Sequence, residues 1–209
     1  ARRHAEGQTL SDQPVFALQA WAPTARMDEL RTFAADQGLA LEVRDPELDE
    51  KPPTLLKNPE SIAGGEYLVS FYMTPGYRMW DPSSVVFVSF AIFFGMILAD
   101  VGYAVLLGLI VARYWKKLAS TEVGRRWRVI LSALVGTTLV YGVLVGSYFG
   151  VTPSNDTLLG RLRVLDLNDA GTMMALSIVI GALHVALGCL MDAYRNRRSP
   201  AALAPLGWM

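Results

Sequence analysis

The chain lacks most of the residues and motifs that support catalysis or metal binding. Only one of its 209 residues is a cysteine and only two are histidines, so neither an internal disulfide nor a paired-cysteine metal site is possible. It contains no G-x-x-x-x-G-K-[ST] phosphate loop and no H-E-x-x-H pair. We therefore predict no metal site, no cofactor and no nucleotide hydrolysis by this chain.

The chain also has no net charge and no apolar signal core near its first residues. Its 19 basic residues balance 19 acidic ones, so charge gives no indication of a nucleic-acid partner. The hydrophobic residues, 52% of the total, are gathered into long blocks, which indicates a membrane protein with several crossings. The chain opens without methionine and stops where another apolar segment could begin, so we expect it to be part of a longer protein.

Residues 1–60 read as the end of a small α/β lobe followed by a proline-rich linker. We predict a strand over residues 15–21, a helix capped by Thr24, and a second strand over residues 39–43 in which apolar and polar residues alternate. Residues 61–81 form an interfacial segment, because their aromatic side chains suit the headgroup region.

The apolar run 85–112 is too long for one simple crossing. About 28 residues at ~1.5 Å each give ~42 Å of helix, against a hydrocarbon core of ~30 Å. The carboxylate of Asp100 interrupts the run, and a carboxylate is costly inside hydrocarbon. The run is therefore either one strongly tilted helix or two short helices that break near Asp100 and Gly102.

The positions of the basic residues favour two short helices. If residues 85–112 crossed once, the basic segment 113–128 and the arginines at 195–198 would lie opposite the N-terminal lobe. A tight hairpin of helices 82–99 and 101–115 instead places all three on the cytoplasmic side, as the positive-inside rule prefers. With apolar helices at 129–151 and 171–191, we predict a mainly α-helical domain over residues 82–209, with four crossings of the cell membrane and a cytoplasmic N-terminal lobe.

Two ionisable residues are candidates for a proton path. Asp100 is either a proton-accessible carboxylate or a turn residue that caps the second short helix. His184, inside the last apolar block, is either a proton relay or a neutral donor to a neighbouring helix. Small residues that would let helices approach closely are Gly95, Gly102, Gly142, Gly146, Gly150 and Gly181, of which Gly142, Gly146 and Gly150 are predicted to share one helical face.

Several segments, in matching order and spacing, resemble subunit I of the archaeal and bacterial A/V-type rotary ATPases, the homologue of the eukaryotic V-ATPase a subunit. The most specific is the F-F-G-M-x-x-x-D-x-G-Y element at residues 93–103. The other matching stretches are Ala20-Trp21-Ala22-Pro23, the proline-rich segment 52–59, Tyr72-Met73-Thr74-Pro75-Gly76-Tyr77, Asp81-Pro82, Gly146-Ser147-Tyr148-Phe149-Gly150 and Gly181-Ala182-Leu183-His184.

The resemblance implies a non-catalytic stator subunit in the lipid bilayer, with a cytoplasmic arm and a first helix pair that turns at the D-x-G-Y element. Its implied partners are a proteolipid (c/K-type) ring, peripheral stalk subunits and the soluble ATPase sector. Protons would pass through two half-channels that an arginine on a late helix keeps apart. None of Arg113, Arg195, Arg197 or Arg198 matches that arginine, which we expect beyond Met209.

Two other functions remain open at this point. One is a stand-alone transporter or channel in which Asp100 and His184 form a proton relay. The other is a purely structural membrane anchor.

Overall fold

The computed structural model describes residues 9–12 and 15–207, which fall into two compact units. The first comprises Ala1–Leu55 with Gly76–Met79, and the second comprises Leu56–Pro75 with Trp80–Met209. The predicted divisions, 1–60, 61–81 and 82–209, follow the sequence order, whereas in the structure residues 76–79 associate with the first unit.

The first unit contains a β-hairpin and one helix. Strand β1 (Thr9–Asp12) pairs antiparallel with β2 (Val15–Leu18), with Thr9 opposite Leu18. A 3-10 turn at Thr24–Arg26 leads into helix α1 (Met27–Asp36), so Thr24 begins the turn and does not cap the helix. Gly38, at a φ of +64°, redirects the chain after the helix, as glycine does at low cost.

The second strand predicted in this unit is wrong. Residues 39–43 have no regular structure, and their apolar side chains are about 40–45% exposed, at Leu39, Leu41 and Val43. A strand needs a neighbour for its backbone hydrogen bonds. In the described part of the chain β1 and β2 pair only with each other, so the alternating pattern has no partner there.

Helices form most of the second unit, and the chain is mainly helical, as predicted. Several ends differ from the predicted 82–99, 101–115, 129–151 and 171–191. The helices are α2 (Gly64–Tyr72), α3 (Ser83–Leu98), α4 (Val101–Ala119), α5 (Glu122–Val145), α6 (Leu158–Arg161), α7 (Ala170–Arg195) and α8 (Leu203–Leu206), with a 3-10 turn at Pro200–Ala202.

Helix α5 is the centre of this unit, with α3 and α4 packed against it. The core joins Phe87 and Ala91 of α3 to Ile130 and Leu134 of α5. Gly95 of α3 lies farther along, beside Thr137, so α3 and α5 run parallel. Helix α4 runs antiparallel to α5, because its first residue, Val101, lies against Gly142 and its later residue Gly108 lies against Val135.

Glycines allow two of these contacts to be very close. A Cβ on Gly95 would lie 2.9 Å from the backbone carbon of Thr137, and one on Gly142 would lie 2.7 Å from the backbone nitrogen of Val101. Beside the first contact, the Thr137 hydroxyl donates to the carbonyl of Ala91 at 2.7 Å. Small residues and interhelical hydrogen bonds of this kind hold helices together where hydrocarbon surrounds them.

Helix α7 is the most exposed of the long helices. Its first turn is capped by Asp169, which accepts from the backbone of Thr172, and hydrogen bonds from Thr172 lower the pKa of the Asp169 carboxyl. Among its residues only Ala193 is buried. Apolar side chains such as Ile178 and Leu183 are about two-thirds exposed, so the described residues leave most of this surface without a partner.

In the described part of the chain, two helices are long and apolar enough to span a membrane by length and composition, α5 and α7. Helix α3 is apolar but has only 16 residues, which gives ~24 Å of helix. The predicted four crossings and the tight hairpin of the first two helices remain predictions.

The packing at Gly142 can be tested against a glycine of the same helix that has open space. We expect Gly142→Ala to lower the melting temperature of the purified full-length protein, because the added methyl group meets backbone atoms, at a cost of about 1–3 kcal/mol. Gly136→Ala is the matched control, since a Cβ there meets nothing within 4 Å and alanine favours helix. Equal melting temperatures for the two variants would contradict the packing.

Candidate functional site

Asp100 is the centre of a buried hydrogen-bond cluster, the Asp100 cluster, formed by Asp100, Tyr103, Ser147, Phe149 and Gly150. Its Oδ1 accepts from the backbone N–H groups of Tyr103 and Phe149, each at 3.0 Å. Its Oδ2 accepts from the Ser147 hydroxyl at 2.7 Å and from the Gly150 N–H at 2.8 Å. Asp100 is only 4% exposed, so this one carboxylate joins the start of α4 to the loop after α5.

The local backbone places Asp100 in this position. Ala99 ends α3 in the left-handed region, with a φ of 46°, and Asp100 is extended and caps α4. Gly146 ends α5 at a φ of 69°, and Phe149 is also left-handed, at a φ of 53°. A left-handed backbone at a residue other than glycine costs about 1 kcal/mol or more of folding free energy. The hydrogen bonds of Asp100 must therefore be strong enough to hold Ala99 and Phe149 in this conformation.

The cluster leaves the carboxylate no vacant hydrogen-bonding position. A carboxylate has about four lone-pair sites, and all four donors are supplied by the protein. The geometry is that of the capping residue, one of the two readings of Asp100. It differs in one respect from a simple turn residue, because Asp100 is buried and does not face water.

The ring of Phe149 closes the cluster on one side. It lies edge-on to the ring of Tyr103, with centroids 5.3 Å apart, and it covers Gly102, where a Cβ would lie 2.4 Å from the ring. Close by, the N–H of Val101 donates to the carbonyl of Ser147 at 2.9 Å. Gly102 is therefore a packing residue against a loop, not against another helix.

A second polar cluster, the Glu66 cluster, lies at the other end of α5 and contains Asn58, Glu66, Asp81, Glu122 and Arg126. Glu66 is 6% exposed; its Oε1 accepts from the N–H of Asn58 at 2.6 Å and its Oε2 from Arg126. Arg126 also pairs with Glu122 at 2.9 Å, and the Asn58 amide donates to Asp81 at 2.6 Å. The cluster joins the segment before α2, α2 itself, the start of α3 and the first turns of α5.

The sequence did not reveal the Glu66 cluster. Glu66 lies in a segment predicted to be interfacial, and Arg126 lies in the segment 113–128, which the sequence identifies only as basic. The two are 60 residues apart, and no motif connects them. A weak signal exists in the charge of Glu66 itself, since it stands alone in an otherwise uncharged helix.

His184 lies away from both clusters. Its Nδ1 is 3.0 Å from the Ser89 hydroxyl, and its ring packs edge-on against Phe93 with centroids 5.6 Å apart. The Ser89 hydroxyl also lies 2.7 Å from the carbonyl oxygen of Val85, so it connects the backbone of α3 to the His184 ring.

The glycines predicted to pack helices have different surroundings. Gly95 and Gly142 lie at close helix contacts. Gly146 and Gly150 are not on the helical face of Gly142, because α5 ends at Val145 and both have left-handed backbones in the following loop. A Cβ on Gly181 would meet nothing within 4 Å among the described residues, so its packing role remains a prediction.

The described residues contain no group of three or more His, Cys, Asp or Glu side chains that could hold a metal ion.

Three of the known proteins that are similar to this chain share the name subunit I. A-type ATP synthase subunit I of Methanocaldococcus jannaschii is 30% identical over 94% of this chain and 33% of its own length. The Pyrococcus abyssi subunit I is 30% identical over 93% of this chain and 31% of its own. V-type ATP synthase subunit I of Chlamydia muridarum is 35% identical over 73% of this chain and 24% of its own. No protein-family model matches the chain.

The chain is a homologue of part of subunit I of the A/V-type ATP synthases. The resemblance inferred from the motifs is confirmed over this stretch. The chain spans about a third of the length of the first two relatives. The most specific motif of this subunit I homologue, residues 93–103, runs from the last turns of α3 through Asp100 to Tyr103.

Asp100→Asn tests whether the Asp100 cluster stabilises the subunit. An amide has two acceptor positions fewer than a carboxylate, so at least one backbone N–H loses its partner, at a cost of about 1–3 kcal/mol. We expect a lower melting temperature for the purified full-length subunit. Asp169→Asn is the control, because Asp169 also caps a helix but is exposed, and asparagine caps as well as aspartate. An equal fall in melting temperature for the two variants would contradict the claim that the buried Asp100 cluster stabilises the subunit more than an exposed cap does.

Glu66→Gln tests the Glu66 cluster. The substitution leaves Arg126 without its buried partner, and we expect a destabilisation of about 2 kcal/mol. Glu122→Gln removes the exposed partner of the same arginine, 70% exposed, and should change stability by less than about 1 kcal/mol. Chemical denaturation of the full-length subunit measures both, and a larger loss from Glu122→Gln would show that burial is not what makes the pair important.

Proposed function

We propose that this chain is the first membrane part of a stator subunit of a V/A-type rotary ATPase or ATP synthase, beside its proton-translocating path. The observation that carries the proposal is homology to subunit I over 94% of the chain, together with a helical unit that contains the matching motif. Its partners would be a proteolipid ring, peripheral stalk subunits and the soluble ATPase sector. Each of the relatives named above is described as an ATP synthase subunit.

In this role the helical unit acts as a scaffold. A stator must resist the torque of a rotating ring, so the helices next to the ring must not shift against one another. The Asp100 cluster fixes one end of α4 to α5, and the Glu66 cluster fixes the entering chain and α3 to the other end of α5. Helix α5 is thereby held at both ends by buried polar contacts, which are stronger where water is scarce.

We propose four membrane crossings with a cytoplasmic N-terminal lobe. The opposite directions of α3 and α4 along α5 support a reversal at Asp100. A reversal there brings the start of α3, the α4–α5 connection and the end of α7 to one side of the membrane. The basic residues at 113–128 and 195–198 then share that side, as the positive-inside rule prefers. Helix α3, at ~24 Å, requires a locally thin bilayer or cover by protein.

The alternative, a stand-alone transporter that uses Asp100 and His184 as a relay, is not favoured. His184 bonds to Ser89, which lies nine positions before the last residue of α3, about 14 Å along the helix axis from the Asp100 end. The Asp100 carboxylate already accepts four hydrogen bonds. A relay needs neighbours within hydrogen-bond reach and a free acceptor, and neither condition is met between these two residues.

Cysteine labelling in intact cells tests the proposed topology. In a Cys189→Ser background, Ser120→Cys marks the α4–α5 connection and Asn155→Cys marks the loop before α6. Both positions are exposed. We expect an impermeant maleimide to label only Asn155→Cys, and a permeant one to label both. Labelling of Ser120→Cys by the impermeant reagent would contradict the topology.

The assignment to a rotary ATPase is tested by purification of the tagged full-length subunit. We expect soluble ATPase subunits and a proteolipid to co-purify, and vesicles from cells that lack the subunit to lose ATP-driven acidification. Asp100→Asn separates the scaffold role from a proton-carrying one. If Asp100 acts only in the scaffold, the variant should yield less assembled complex, but each assembled complex should pump protons at the normal rate. Loss of pumping in a fully assembled complex would contradict the scaffold role.

A further inference from the structure

The end of α4 and the start of α5 carry cations that form no ion pair with any described residue. Of the six basic residues at 113–128, Arg126 is held by Glu66 and Glu122, and Arg128 stacks on the ring of Trp115 at 4.5 Å. The other four are exposed and form no ion pair within the described part of the chain. We call these four residues the basic corner: Arg113, Lys116, Lys117 and Arg125.

Helix geometry holds the basic corner together. Arg113, Lys116 and Lys117 are three and four positions apart on the last turns of α4, so they share one face. Only two residues, Ser120 and Thr121, separate the end of α4 from the start of α5. The turn is tight at Gly124, where a Cβ would lie 2.2 Å from the carbonyl oxygen of Leu118. The stack of Arg128 on Trp115 joins the two helices again, so Arg125 lies on a helix that is fixed beside the other three.

Aromatic residues indicate how deep in a bilayer the basic corner would lie. Trp115 and Trp127 are each 44% exposed, and Tyr114 is 50% exposed. Tryptophan and tyrosine concentrate at the headgroup level of a bilayer. The uncharged part of α5, a helix long and apolar enough to span a membrane, begins at Val129. In a bilayer spanned by α5, the four cations would therefore lie at the level of the lipid phosphates.

We propose that the basic corner is a binding surface for anionic phospholipid headgroups. Cations near a bilayer attract anionic lipid by about 1 kcal/mol each, and here four of them are grouped on two packed helix ends beside interfacial aromatics. The nearest acidic side chain in the sequence, Glu122, is engaged by Arg126 and does not compete with a phosphate. The surface recognises the negative charge of the lipid and not a particular headgroup. Lipid binding requires only that the chain is inserted in a membrane, and it does not require the rotary assembly.

Photocrosslinking measures this preference at the surface itself. The full-length subunit is reconstituted into phosphatidylcholine vesicles that contain a minor fraction of a photoactivatable lipid. This lipid is either phosphatidylglycerol or phosphatidylcholine, and in both cases the photoactivatable group lies near the headgroup. Crosslinks are mapped to residues 113–128 by mass spectrometry. We expect severalfold more crosslinking by phosphatidylglycerol, and a smaller ratio at high salt because surface charges are screened.

Two matched double variants test whether the cations cause the preference. Lys116→Gln with Lys117→Gln should lower the ratio by about twofold or more. Arg197→Gln with Arg198→Gln removes the same charge at the end of α7 and should leave the ratio at residues 113–128 unchanged. Equal crosslinking by the two lipids in the unaltered subunit, or an undiminished ratio in the lysine variant, would overturn the proposal.

Discussion

The acceptance of four hydrogen bonds by one buried carboxylate is the interaction on which the helical unit depends. Asp100 starts α4, and the donors it satisfies come from α4 and from the loop that follows α5. If those donors were left unpaired, each would cost about 1–3 kcal/mol in a buried site. The left-handed backbones of Ala99 and Phe149 are tolerated because the carboxylate offsets their strain.

The same interaction explains why an aspartate interrupts an apolar run of this length. In hydrocarbon a lone carboxylate would be strongly unfavourable. Here it lies at a helix break, where the first turn of α4 has unpaired N–H groups and the loop after α5 offers more. At the other end of α5, the buried carboxylate of Glu66 is likewise stabilised by an arginine and a backbone N–H. Both clusters connect separate helices through buried polar contacts.

The sequence predicted the mainly helical fold and the break at Asp100, because apolar runs, prolines and caps are local signals. It failed where structure depends on distant partners. Residues 39–43 alternate like a strand but have no pairing neighbour among the described residues, and Gly146 and Gly150 continue a glycine spacing past the point where α5 ends. The donors from Ser147, Phe149 and Gly150 to Asp100 are some 50 residues away. The isolated charge of Glu66 in its helix does not by itself indicate that its partner is Arg126.

Hydrogen–deuterium exchange of the backbone amides of Phe149 and Gly150 in the full-length subunit tests the central claim most directly. These amides lie in a loop, where exchange is usually fast, yet both donate to Asp100. The account predicts slow exchange in the unaltered subunit and much faster exchange in Asp100→Ala, with the amides of the α5 core unchanged. Fast exchange of both amides in the unaltered subunit would contradict it.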